Sequence, residues 1–262
     1  MASHVLAGPP GDCCFKAVKH SGTPVGKRIE IAGVPTYISE PSTQLADGRK
    51  KIILYLADVF GPFFLNNQLI QDYLAENGFL VLGIDYFFGD GFGFHLDEEG
   101  FDRMAWIENA KVKANEVYPK WLETVRETYG TDARYFSVGK FSPIINKYRY
   151  CFGAPFALDL ATTNKVSASA FAHPAFLNEE HFTKLTKPLL LLCAESDHTF
   201  PLESRRRAED LLVEAKASYH ISVFSGVSHG FAVRCDLEIE NERWAKEEAA
   251  RQTVDWFTRF SQ

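Results

Sequence analysis

From residue 28 onward, apolar runs of strand length alternate with longer amphipathic segments, and this alternation constrains the fold more than any other feature of the chain. The β-rich runs are RIEI and VPTYISEP (28–41), KIILYLAD (51–58), FLVLGIDYF (79–87), ARYFSVG (133–139), SASAFAHP (167–174), PLLLLCAES (188–196) and YHISVFSG (219–226). Three of them are near-continuous in Ile, Leu and Val, as strands covered on both faces must be. Helical periodicity fills the intervals 65–77, 103–128, 153–165, 202–216 and 238–260. The expected architecture is α/β: a doubly wound, mostly parallel sheet with helices on both faces. At 262 residues and 46% hydrophobic, the chain can bury one such core, so residues 1–262 are read as a single domain. Residues 1–26, with GPPGD and SGTP, read as an irregular extension packed on the surface.

Charge and cysteine usage narrow the class. A net charge of -6 with no basic cluster longer than Arg205-Arg206-Arg207 argues against nucleic acid as a partner. No run is long and apolar enough for a membrane span or a signal peptide, so a cytoplasmic protein with no membrane partner is expected. Five cysteines, at 13, 14, 151, 193 and 235, form no disulfide framework, and reduced thiols are expected. Cys193, inside LLLLCAE, reads as a small buried hydrophobe.

Two stretches suggest a nucleophile on a sharp strand-to-helix turn, a device that requires nucleophile, acid and histidine in that chain order. Gly226-Val227-Ser228-His229-Gly230 fits the serine form literally, but it follows the last strand and no histidine lies beyond His229. Tyr150-Cys151-Phe152-Gly153-Ala154-Pro155 precedes a helix and is followed by Asp197 at a strand end and His229 after the next strand. Order and element type therefore select Cys151 as nucleophile, His229 as its proton partner and Asp197 as the group orienting the imidazole. The competing readings are that Asp197 caps the helix starting near Pro201, and that His198 is the working imidazole if the strand ends one residue later.

The motifs CCFKAVKHSGTPVG (13–26), ADVFGP (57–62), GFLVLGIDYFFGD (78–90), YCFGAP (150–155), AESDHTFP (194–201) and GVSHGFAVR (226–234) together resemble the dienelactone hydrolase family, and more closely its fungal branch. The resemblance runs from about Cys13 to the end. It implies an α/β-hydrolase fold and a Cys-His-Asp triad opening a lactone, enol ester or related small-molecule ester, with no metal and no organic cofactor. It places an oxyanion hole at the backbone N–H groups of Val59 and Phe152, and puts Asp58 where a carboxylate restrains the resting thiol. For Asp58, a strand-end residue bonded to nearby backbone is the other reading. The family's bacterial members grip a substrate carboxylate with arginines. Arg234 matches one of these positions, whereas phenylalanine, in the pair Phe87-Phe88, stands at the other, so a larger or more apolar ester is expected.

Two segments depart from a simple elbow. The loop Phe87 to Arg103, FFGDGFGFHLDEEGFDR, carries five phenylalanines and four glycines after a central strand; it is either part of a pocket or a cover folded back on the core. Residues 140–149, KFSPIINKYR, read as an insertion, since removing them joins Ser137-Val138-Gly139 to Tyr150-Cys151-Phe152-Gly153 and restores G-x-C-x-G. Either KYRYC re-forms the end of the strand, or ARYFSVG keeps it and the insert bulges beside Cys151. Because a misplacement of about 1 Å can cost ~100-fold in rate, the insert leaves open a catalytically impaired binding or regulatory module. The phenylalanine-rich loop also permits a second alternative, a lactone isomerase or cyclase of secondary metabolism using the same pocket.

Overall fold

The computed structural model describes residues 4–8, 17–42, 49–96, 98–139, 153–174 and 177–262. The apolar runs form eight strands: β1 (Lys27–Ile31), β2 (Val34–Ser39), β3 (Lys51–Leu56), β4 (Leu80–Ile84), β5 (Arg134–Gly139), β6 (Ala168–Ala172), β7 (Leu189–Ser196) and β8 (Tyr219–Ser228). They join one sheet in the order β1-β2-β4-β3-β5-β6-β7-β8. β2 runs antiparallel to both β1 and β4, and the remaining pairs are parallel. The chain moves outward from β3 to β4 and then returns to the other side of β3 as β5. Such a reversal opens a crevice at the carboxyl ends of the strands.

Strand alternation divides the core into two layers. Ile52, Leu54 and Leu56 of β3 pack on one face with Trp106, Ile107 and Trp121 of α2 (Arg103–Tyr129). Ile53 and Tyr55 face the other layer, with Ile70 and Leu74 of α1 (Leu65–Glu76) and Trp256 of α7 (Glu240–Arg259). The remaining helices are α3 (Ala154–Ala161), α4 (Glu179–Thr183), α5 (Leu202–Glu214) and α6 (Phe231–Arg234). Cys193 sits in the first layer, where burial pushes its thiol up to about 12, as fits a packing residue.

The helical periodicity misjudges some boundaries for local reasons. α3 stops at Ala161 rather than near 165, because the Thr162 and Thr163 hydroxyls donate to the Asp159 and Leu160 carbonyls at 2.8 and 2.7 Å and close the last turn. α4 and α6 are too short to show a period, and α6 precedes the expected last helix, which forms as α7. The amino-terminal segment is irregular but not superficial. Leu6 and Ala7 are buried in the core, and their N–H groups donate to the Leu177 carbonyl at 2.8 and 2.9 Å. Farther along, Asn66 of α1 accepts from the His20 N–H and donates to the carbonyls of Val18 and Val233, stapling this segment to α6. Among the described residues, no helix is long and apolar enough to cross a membrane.

Candidate active site

Two adjacent parallel strands deliver the acid and the histidine to one point. β7 ends at Ser196 and β8 at Ser228, so Asp197 and His229 each follow a strand end directly. A register shift between Ala194 and Ser196 and a 3.1 Å hydrogen bond from the His229 N–H to the Ser196 carbonyl set the two loops against each other. His229 Nδ1 lies 2.9 Å from Asp197 Oδ1, with both side chains buried. The same Oδ1 accepts from the N–H groups of Thr199 and Phe200 at 2.9 and 3.1 Å and from the Thr199 hydroxyl at 2.6 Å. Burial by itself would raise the Asp197 carboxyl, but the neighbouring imidazole and these hydrogen bonds outweigh it and hold the group below the usual carboxylate value.

The capping reading of Asp197 is not met, since α5 takes Pro201 as its N-cap with no side-chain cap hydrogen bond. The Asp197 carboxylate instead organises the turn before α5 and pairs with His229. Thr199, which sequence reasoning passed over, is fully buried; its Oγ1 lies 2.7 Å from the Pro174 carbonyl and 3.0 Å from His229 Nδ1. Its only sequence signal is its place two residues after the acid. His229 is also flanked by two imidazoles, with His173 centred at 5.1 Å and His198 at 5.3 Å. His173 follows β6, is fully buried, and has φ 39, in the left-handed region uncommon for a non-glycine residue. His198 is exposed on the turn, and since β7 ends at Ser196, His229 rather than His198 takes the Asp197 bond.

The side expected to carry Cys151 is framed by a close backbone contact. β5 comprises Arg134–Gly139, and Gly139 pairs with Leu56 on β3 and with Phe171 on β6, so RYFSVG stays in the sheet as far as Gly139, while KYRYC lies outside the described residues. A Cβ on Gly139 would lie 2.5 Å from Ala154 Cα and 2.7 Å from the Gly153 carbonyl oxygen, so only glycine fits there. Gly153, at φ 45, leads into α3, which carries Pro155 in its first turn. Cys151, Phe152 and residues 140–149 lie outside the described residues.

After β3, Asp58 and Val59 reach the same edge of the sheet. Asp58 is fully buried; its Oδ1 accepts from the Phe60 N–H at 3.2 Å and from Asn67 Nδ2 at 3.0 Å, and its Oδ2 is paired with Arg234 Nη1. The Tyr55 hydroxyl donates to Asn67 Oδ1 at 2.6 Å, which orients that amide toward the carboxylate. Val59 is buried, its carbonyl accepts from Phe92 N–H, and its own N–H has no acceptor among the described residues. Arg234 spans the crevice from α6. Gly230, at φ 95, makes room for its guanidinium, since a Cβ there would lie 2.6 Å from Nη2. Nε and Nη2 of Arg234 are buried without a hydrogen-bond partner among the described residues. Arg234 and His229 line one cavity of about 230 Å³ together with Phe231 and Val18.

Phe87 and Phe88 are placed elsewhere. The Phe87 ring stacks on Trp106 at 5.4 Å in the core and borders a separate cleft of about 130 Å³ with Asp90 and Lys113. Phe88 is half-buried with the Lys113 ammonium 4.3 Å from its ring centre. Phe92 is also a core residue, so the aromatic loop serves mainly as a cover, with Phe94 its exposed exception.

Known proteins supply a context for this geometry. The profile of the dienelactone hydrolase family matches residues 34–261. Dienlactone hydrolase 1 of Gibberella moniliformis is 34% identical over 257 residues, covering 96% of this chain and 94% of the relative. Dienlactone hydrolase 2 of the same fungus is 33% identical, covering 97% of this chain and 96% of the relative. The crystal structure of a dienelactone hydrolase from Klebsiella pneumoniae superposes with a TM-score of 0.68 at 18% identity, covering 91% of this chain and all of that one.

Proposed function

The chain belongs to the dienelactone hydrolase family and is a hydrolase of ester or lactone bonds on an α/β-hydrolase fold; from that premise we propose that Cys151, His229 and Asp197 are its nucleophile, base and acid. The observation that carries this reading is the Asp197–His229 pair at the ends of β7 and β8, at the same sheet edge as Gly139 packed on the start of α3. Gly139 and Ala154, which flank the intervening segment, touch, and lengthening a loop whose ends stand together costs little entropy. This supports an elbow whose frame survives the insertion at 140–149.

The steps follow from the side chains. With Nδ1–H donated to Asp197, the other nitrogen of His229 exchanges a proton with the thiol. The amino-terminal end of α3 favours the thiolate of the residue that precedes it. The Cys151 sulfur attacks the ester carbonyl carbon, and the Val59 and Phe152 N–H groups hold the oxyanion; the unclaimed Val59 N–H supports that role. Collapse to a thioester expels the alkoxide or enolate, which takes its proton from the His229 imidazolium. Water, losing its proton to His229, attacks the thioester, and the Cys151 thiolate leaves.

Asp58 and Arg234 regulate entry in this reading. Asp58 restrains the resting thiol while its Oδ2 holds Arg234, and the unpartnered Nε and Nη2 of Arg234 are donors for a polar group of the substrate. No metal or organic cofactor enters any step. The free state of Cys193 and Cys235 suits a reducing, cytoplasmic setting. Cys151→Ala is expected to reduce turnover of a nitrophenyl ester and of an enol lactone to background, whereas Cys193→Ala alters mainly thermal stability. Undiminished turnover in Cys151→Ala would remove the mechanism.

A further inference from the structure

Beyond its pairing in the proposed reaction, the acid and histidine stand beside a third group able to bind a metal. Asp197, His198 and His229 each offer one donor atom, and those atoms lie within 4.8 Å of one another. Donors around a tetrahedral zinc ion at 2.0–2.2 Å stand roughly 3.4 Å apart, so the widest pair has to close by up to about 1.4 Å. Asp197 and His229 are already held side by side by their hydrogen bond, and the third residue is an exposed side chain on a turn.

A second observation is independent of this spacing. Asp197 Oδ1 takes all four of the carboxylate's hydrogen bonds, while Oδ2 is buried and has no hydrogen-bond partner among the described residues. A buried carboxylate oxygen is costly to leave alone, and a cation beside two imidazoles is a fitting partner for it.

We propose that Asp197, His198 and His229 form an inhibitory site for a borderline transition-metal ion, with Zn²⁺ the best match to a nitrogen, nitrogen and oxygen donor set. Binding releases any proton on the donor atoms and leaves a water-filled position on the ion. His229 then cannot exchange a proton with thiol or water, so ester turnover stops while the fold is kept. The binding site stands on geometry alone; only its inhibitory effect rests on the triad proposed above. His198 has no step in the reaction, which makes it the residue that separates the two.

The test is titration of the metal-free protein with Co²⁺, followed by visible absorption, and with Zn²⁺, followed by calorimetry and by ester turnover. One Co²⁺ per chain is expected, with ligand-field bands and no sulfur-to-metal charge transfer, displaced by Zn²⁺. Zn²⁺ should inhibit with matching affinity, and a chelator should reverse the inhibition. His198→Asn should weaken binding and inhibition by more than the roughly 10- to 100-fold that loss of an outer-shell partner costs, with turnover in metal-free buffer unchanged. Unaltered binding in His198→Asn would overturn the site. So would thiolate charge-transfer bands that vanish in Cys151→Ala, which would put the ion on the sulfur. Binding through His198 in a protein without ester turnover would uphold the metal site and overturn the hydrolytic triad; turnover without binding would do the reverse.

Discussion

The two sides of the catalytic crevice are built differently. On the β7–β8 side, Asp197 and His229 follow their strands without an intervening residue, and Asp197 Oδ1 gathers bonds from Thr199, Phe200 and His229. On the β5–α3 side, strand and helix are separated by residues 140–153, and the frame is held by Gly139 lying against Gly153 and Ala154. A short connection transmits the position of a strand directly to a side chain. A long one transmits nothing, and the position has to be recovered by a packing contact between residues distant in sequence.

The largest perturbation of this comparison is expected across the crevice, where Arg234 of α6 faces Asp58 after β3. Arg234→Met would leave the Asp58 carboxylate buried with only the Asn67 and Phe60 donors, and loss of one partner of a buried pair costs about 3–5 kcal/mol. Chemical denaturation should show a fall of that order, and Asp58→Asn in the same chain should recover part of it. Stability unchanged by Arg234→Met would mean that the pair does not join the two sides.

The nucleophile side is tested at its contact. Gly139→Ala places a methyl group 2.5 Å from Ala154 Cα, and overpacking of this kind costs about 1–3 kcal/mol, with a larger effect on ester turnover than on melting temperature because the helix start shifts. Deleting residues 140–149 should preserve the fold and raise or maintain turnover, since Gly139 already meets Ala154. If deletion abolishes turnover in a folded protein, the segment is part of the site and not an insertion into it.

The acid side supplies the smallest effect, readable through pH. The Asp197 carboxyl is held below its ordinary value in the folded chain, so its contribution is complete above the usual carboxylate range and is lost as pH falls through the depressed value. The gap in melting temperature between wild type and Asp197→Asn should therefore be widest near neutrality and close in acid. A gap that persists undiminished at low pH would assign the stabilisation to the turn's shape instead of to charge.

Much of this was legible before any coordinates. Continuous Leu and Ile runs set β3 and β7, and chain order with element type pointed to Asp197 and His229 and set aside Ser228. Thr199 and Asn67 were not legible, since a buried hydroxyl and a buried amide are common residues whose partners come from other elements. His173 was missed for the same reason, since it reaches His229 from the end of β6, beyond β7 in the sheet. The aromatic loop allowed two readings because phenylalanine content does not say which way the rings turn, and the stack of Phe87 on Trp106 answers that only through α2.

By itself, then, the sequence determined the layered sheet, the family and the chain order of the proposed triad, because periodicity and short motifs are local properties. Tertiary structure decided three things: that Asp58 is tied to Arg234, that Asp197 serves both its turn and His229, and that Gly139 meets Ala154 across an intervening segment. Each of these depends on which strand ends lie side by side, and strand order is a property of the folded chain that no single stretch encodes.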